Sequence, residues 1–330
     1  MRFSRSLLVA SIGSALVMAS CGTNSATASV SASKQVVYPK NPVTIIVDHG
    51  PGGSIDIGTR LLQPFLAKEL GVPVVVQNMT GANGNIAHSY VYNAKPNGYT
   101  LLAAIQPTIT MGQVVLGGNY SMAKMTDVYN VYGHDPELLV SGKLDSIAQA
   151  KVIGRTQSIT IGTTGVGSIH WLAAVYLGKM LGVGITIVPF SSGGGAIAAA
   201  LGKQVDFTIT ATTAGLAAVK SGKTQGLLQF STKASNLLPN VPILNGAKQS
   251  GYALSADIGL FAPPGTPPGV VTKLNQALNK IVSSQAFIAK AKTVGLTPDP
   301  MSSKVFSNYS LNTLKSVESD SAQLKAYAKG

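Results

Sequence analysis

Val43-Thr-Ile-Ile-Val47, then Gly50-Pro-Gly-Gly53, then the spaced residues Leu61, Leu62, Phe65, Leu66 and Leu70 form one phrase: a short β-branched run, a glycine turn and an amphipathic stripe. The run reads as a buried strand and the stripe as a helix, with Ser54 or Asp56 as its cap. Leu70-Gly-Val72 closes the helix and opens a strand over 72–77. A second loop, Thr80-Gly-Ala-Asn-Gly-Asn85, follows, then a helix through Tyr90 and a strand over 100–105. The phrase returns in mid-chain. A strand over 158–162 leads into Thr163-Thr-Gly-Val-Gly-Ser168 and a helix from His170 to Leu181. Leu181-Gly-Val183 then repeats the closing signal, a strand covers 185–189, and Ser191-Ser-Gly-Gly-Gly195 precedes a helix over 196–201. Such an echo predicts two similar α/β lobes, each with a mostly parallel sheet and two glycine loops at strand C-terminal ends.

The last third adds an apolar run over 258–262, the turn Pro263-Pro-Gly-Thr-Pro-Pro268, a periodic helix over 270–282 and one long lysine-bearing helix over 306–328. It is expected to return to the first lobe. Residues 36–140 with 258–330 then make lobe 1 and residues 141–257 make lobe 2, joined by crossovers near 140 and 257.

The N-terminus reads as an address. Arg2 and Arg5 precede an apolar run over 7–18 and then Ala19, Ser20 and Cys21, the only cysteine. This is the layout of a secretory signal over residues 1–20. Met18-Ala-Ser-Cys21 resembles a bacterial lipobox, which implies cleavage before Cys21 and lipidation of its thiol. Residues 21–35 then serve as a disordered Ser/Thr/Ala-rich tether.

The 330-residue chain has a formal net charge of +13 from 25 basic and 12 acidic residues. Removing the leader takes Arg2 and Arg5 and leaves 23 bases against 12 acids, a net +11. Only Arg60 and Arg155 remain as arginines, and the lysines come singly. Clustered Arg forks and aromatic platforms are missing, which excludes a nucleic-acid reader. A lone cysteine excludes a disulfide scaffold, and the scattered His49, His88, His134 and His170 give no metal-ligand spacing. Gly50-Pro-Gly-Gly-Ser-Ile55 and Gly165-Val-Gly-Ser-Ile-His170 lack the third glycine of a dinucleotide fingerprint. Gly222-Lys-Thr224 lacks the first glycine of a P-loop, since Ala217 stands there. Ser168 and His170 are spaced i, i+2 and do not face each other, so no nucleophile–base pair is read. Trp171 reads as core, and Asp206 as either a lobe-edge salt bridge or a ligand or hinge residue. What the loops offer is anion binding: helix N-termini present unpaired N–H groups, and glycine lets a ligand approach them.

At these loops the chain resembles the extracytoplasmic solute receptors of tripartite tricarboxylate transporters, the Bug family. The matching phrases are Tyr38-Pro-x-x-Pro-Val-Thr-Ile-Ile-Val47, Pro51-Gly-Gly-Ser-x-Asp56, Gly81-Ala-x-Gly-Asn-Ile86, Lys95-Pro-Asn-Gly-Tyr-Thr-Leu101, Gly165-Val-Gly-Ser168, Leu201-Gly-x-Gln-Val-Asp206 and Phe261-Ala-Pro-x-Gly-Thr-Pro-Pro268. The resemblance implies a two-lobed type II periplasmic-binding-protein fold that closes on a small carboxylate, without catalysis or cofactor. It carries ligand contact to Gly52, Gly53, Ser54, Asp56, Gly84, Asn85, Ile86 and Thr108 in lobe 1. In lobe 2 it carries contact to Thr163, Gly165, Gly167, Ser168, Ser191, Gly193 and Thr210. Integral transporter subunits are the implied partners, and the receptor is expected to be an exported, lipid-anchored monomer. Sensing for a membrane signalling protein is the alternative, and hydrolysis of an anionic substrate a remote one. Three departures stand out. Asp48-His49 replaces the family's usual Pro-Phe, Thr210-Ala211 replaces an Asp-Asn pair, and Trp171 takes the usual place of a histidine, with His170 one position early. His49, His170 and Asp206 are therefore candidates for tuning the ligand.

Overall fold

The computed structural model describes residues 38–231, 235–244 and 255–329. The leader, the tether and Cys21 lie outside them. Among the described residues ten strands and eleven α-helices follow in chain order, with one 3-10 turn over Ala82–Gly84. The first are β1 (Val43–Val47), α1 (Ser54–Leu70), β2 (Val74–Asn78), α2 (Asn85–Tyr92), β3 (Thr100–Gln106), α3 (Thr108–Val114) and β4 (Thr126–Ser141). Next come α4 (Ile147–Ile153), β5 (Ile159–Thr163), α5 (Ile169–Leu181), β6 (Ile185–Pro189), α6 (Gly193–Leu201), β7 (Phe207–Ala211), α7 (Thr212–Lys220) and β8 (Gly226–Phe230). The chain ends with β9 (Ser255–Ala262), α8 (Pro268–Val282), α9 (Gln285–Thr293), β10 (Pro298–Ser302), α10 (Ser303–Ser319) and α11 (Ser321–Lys329).

One sheet runs β2-β1-β3-β9-β4 with β10 on β4; the other runs β4-β7-β5-β6 with β8 also on β4. The 16-residue β4 is the shared element. It pairs with β9 as far as Pro136 and with β7 and β8 from Glu137 onward. The molecule is a two-lobed α/β fold, with one sheet per lobe. The expectation of mostly parallel sheets needs correcting. β1, β2 and β3 are mutually parallel, as are β5, β6 and β7, but β4, β8, β9 and β10 enter antiparallel. Strands that pass between lobes cannot all keep the direction of the βα units.

Local chemistry explains the elements. β1 is buried on both faces, with Val43, Ile45 and Val47 in one apolar cluster and Ile46 in another, which is why it carries no polar alternation. α1 and α5 both end on a left-handed glycine, Gly71 (φ 71°) and Gly182 (φ 67°), so the repeated Leu-Gly-Val is a C-cap signal. Two helix readings change. The expected helix over 306–328 breaks at Asp320 into α10 and α11. The glycines of 193–195 lie inside α6 and not in a loop, because Ser192 Oγ accepts the Gly195 N–H and starts the helix early. Trp171 is buried in the core.

Candidate functional site

The site forms where strand ends of both lobes meet. In lobe 1, β1 delivers Asp48 and His49. Asp48 is fully buried and accepts from His49 Nδ1 and His88 Nε2, both at 2.8 Å. Burial alone would raise its carboxyl. The neighbouring His49 charge and the two imidazole hydrogen bonds overcome that and hold it down at about 2. Burial opposes charge on His49 too, but Asp48 outweighs it and raises His49 above the usual imidazole value. His88, enclosed behind them, is lowered by burial.

The turn after His49 is held by Asp56. No side chain caps α1: Gly53 is the N-cap, contrary to the expected Ser54 or Asp56. Asp56 instead reaches back to accept the Gly52 N–H (3.1 Å), Arg60 Nε (2.8 Å) and Asn78 Nδ2 (3.0 Å). The second loop runs through four left-handed residues, Gly81, Ala82, Asn83 and Gly84. Two are not glycine, and each such residue costs on the order of 1 kcal/mol. Asn85 is tied down by Tyr120 Oη on its Oδ1 (3.0 Å) and by Gly112 O.

In lobe 2, Thr163 Oγ1 accepts the Gly165 N–H, and Ser168 Oγ bridges Gly165 O and the Trp171 N–H. His170, on the first turn of α5, places Nδ1 on the buried Glu137 carboxylate. Thr210, at the end of β7, is buried, and its Oγ1 has no partner. Asp206 is spent on the Thr160 N–H and hydroxyl (2.8 and 2.7 Å), which brackets β5 to the segment before β7.

The lobes touch directly. Gly50 N–H donates to Ser191 O (2.8 Å), Ser192 Oγ to Pro51 O (2.9 Å), and Ile169 N–H to Thr108 Oγ1 (3.2 Å). Between them lies a cavity of about 20 Å³, bordered by His49, Gly53, Ser54, Asp56, Thr108, Thr164, His170, Gly193 and Thr210 among others. An adjoining, more open space of about 550 Å³ is walled by Gly84, Asn85, Gly165 and Ser191 together with Leu116, Val166, Pro189 and Phe190. Among the described residues no Lys or Arg borders either space.

The sequence-derived candidates thus divide. Gly53, Ser54, Asp56, Thr108, Gly193, Thr210, His49 and His170 meet at the small cavity. Gly84, Asn85, Gly165 and Ser191 line the larger one. Gly52, Thr163, Gly167 and Ser168 shape the loops without bordering either space, and Asp206 stands apart. Ile86 is exposed and borders a separate surface groove with Tyr90 and Lys95. Sequence reasoning missed Glu137; Thr164, inside the expected loop over 163–168, borders both spaces. The only signal for Glu137 was an acid standing directly before the apolar run Leu138-Leu-Val140.

Known proteins give this arrangement a family. A model of the tripartite tricarboxylate transporter family receptor matches residues 59–319. Protein BugT of Bordetella pertussis is 30% identical over 270 residues, spanning 79% of this chain and 82% of its own. Among solved structures, an R. palustris protein with adipate superposes with a TM-score of 0.79 at 26% identity, covering 88% of this chain and 98% of its own. MatC from Rhodopseudomonas palustris with bound malate gives 0.77 at 25% identity, covering 88% and 100%. The chain belongs to the tripartite tricarboxylate transporter receptor family and is a two-lobed solute receptor, not an enzyme.

Proposed function

We propose that this receptor captures a small carboxylate between its lobes outside the cytoplasm and hands it to integral transporter subunits. The observation that carries the reading is the joined cleft. Glycine loops and helix starts from both lobes converge there on a cavity lined by hydroxyls and imidazoles, without Lys or Arg. Backbone N–H groups and hydroxyls bind an anion at roughly 1.5–3 kcal/mol for each hydrogen bond to charge. Malate and adipate, seen in two structural neighbours, are linear dicarboxylates, and this supports the class without fixing the member. Residues 36–140 with 258–330 and residues 141–257 are proposed as the lobes that close, by a ligand-driven population shift. Among the described residues no helix is long and apolar enough to cross a membrane. Attachment is assigned to a lipid on Cys21.

A thermal-shift panel of mono-, di- and tricarboxylates tests the reading. At a hundredfold excess over Kd a true ligand stabilises by about 2.7 kcal/mol and raises Tm by roughly 5 °C. A folded protein whose Tm no carboxylate moves would refute it. For the anchor, Cys21→Ser is expected to release the receptor into the soluble fraction; unchanged membrane retention would contradict lipidation.

A further inference from the structure

Two buried histidines, one from each lobe, border the same small cavity: His49 at the end of β1 and His170 at the start of α5. Each rests its Nδ1 on a buried carboxylate, His49 on Asp48 at 2.8 Å and His170 on Glu137. The other ring nitrogen is Nε2 in both. His49 Nε2 stands 3.4 Å from Asn83 Oδ1, so this ring lies between two acceptors, the arrangement of a doubly protonated imidazole. Glu137 Oε1 is buried without a partner, which leaves His170 as the group that offsets its charge. Thr210 Oγ1, fully buried on the same wall, also lacks a partner.

We propose that His49 and His170 clamp one carboxylate head of the ligand between the lobes, so that capture is coupled to proton uptake. The proposal rests on the carboxylate-receptor reading and specifies its chemistry. The small cavity, about 20 Å³, has no room for a chain, so only one end of the ligand reaches it. The body of the ligand then lies in the adjoining space beside Leu116, Val166, Pro189 and Phe190. The class this selects is an elongated carboxylate with one ionised end in the clamp.

Other charged groups nearby do not replace the pair. Asp56 borders the cavity, but its oxygens are held by Gly52, Arg60 and Asn78. His88 and Tyr120 lie behind Asp48, and Asp135, two residues before Glu137 on β4, accepts the Thr213 N–H. As pH rises through the imidazole range the clamp loses charge, and affinity falls by up to about tenfold per pH unit for each proton taken up.

Isothermal titration of the full chain with adipate and malate between about pH 6 and about pH 8.5, in buffers of different ionisation heat, tests the clamp. The expected result is net proton uptake and at least ~10-fold weaker binding at the alkaline end. His49→Gln should flatten the slope. Glu137→Gln should move the fall to lower pH, whereas a merely structural Glu137 would weaken binding equally at every pH. Because His170→Gln strands a buried charge, the double variant Glu137→Gln/His170→Gln keeps a neutral polar pair, and it too should flatten the slope. Equal affinity across the range with no proton uptake overturns the clamp, as does a parental slope in His49→Gln and the double variant; the receptor reading survives either result. Failure of both acids, and of the wider carboxylate panel, to bind a folded protein at any pH overturns the receptor reading and the clamp with it.

Discussion

Gly194 sets how closely the lobes approach. A Cβ at this position would stand 2.9 Å from Gly52 O of the other lobe, whereas one at Gly193 would collide with Thr210 Oγ1 in its own lobe. Gly194→Val is therefore expected to weaken carboxylate binding at least ~10-fold, with a much smaller change in the urea midpoint, because the residue is half-buried at the first turn of α6 and its neighbour belongs to the other lobe. Titration calorimetry beside urea melts separates the two. Gly84 works differently. A Cβ there would lie 2.8 Å from His88 Nε2 and 3.1 Å from Asp48 Oδ2, so the glycine makes room for the buried triad. Asp48 itself gives a signed pH effect. Its folded pKa of about 2 lies below the ordinary 3.8, so its stabilising contribution is complete above about pH 4 and is lost as pH falls towards 2. That contribution is about 2 kcal/mol. Asp48→Asn should flatten the acid limb of a urea-stability profile; an unchanged limb would deny the carboxylate its ionised role.

At the scale of elements, β4 carries the opposite case. Burial pushes the Asp135 carboxyl up to about 7, and the Glu137 charge adds to it against the Thr213 hydrogen bonds. A raised carboxyl destabilises the fold as pH climbs from about 4 to 7. Asp135→Asn should then raise the urea midpoint at about pH 8 by the equivalent of ~1–3 kcal/mol and leave it unchanged near pH 4. The same destabilisation at both pH values would contradict this. The elements also show what a sequence displays. β1 and β5, α1 and α5, and the two Leu-Gly-Val stops were legible because burial on both faces and left-handed C-caps impose residue types locally. The break at Asp320 was not, since Lys315, Ser316 and Ser319 continue a helical pattern through it. Nor was the Glu137–His170 pair. Its partners are 33 residues apart, and only the pairing of β4 with β7 and the placement of α5 bring them together. Strand direction was hidden for a similar reason, because apolar runs such as Ile258–Ala262 look the same in either sense.

Across the whole molecule, the basic charge and the anion site are separate. The lysines are dispersed, and neither cleft space has one on its wall. Ligand affinity should therefore depend little on salt, changing less than ~3-fold between about 50 and 500 mM NaCl, because the contacts are buried and closer than the screening length. A steep loss would implicate surface lysines. Around the small cavity the lobes are joined by backbone and hydroxyl hydrogen bonds, Gly50 to Ser191, Ser192 to Pro51 and Ile169 to Thr108, which fits a closed receptor whose affinity comes from loop backbone, threonines and two imidazoles. The most direct test is a titration of the folded full chain with adipate and malate beside their dimethyl esters, which keep the shape and remove the charge. The account predicts saturable one-to-one binding of at least one diacid and none of its ester. Equal binding of acid and ester would contradict it.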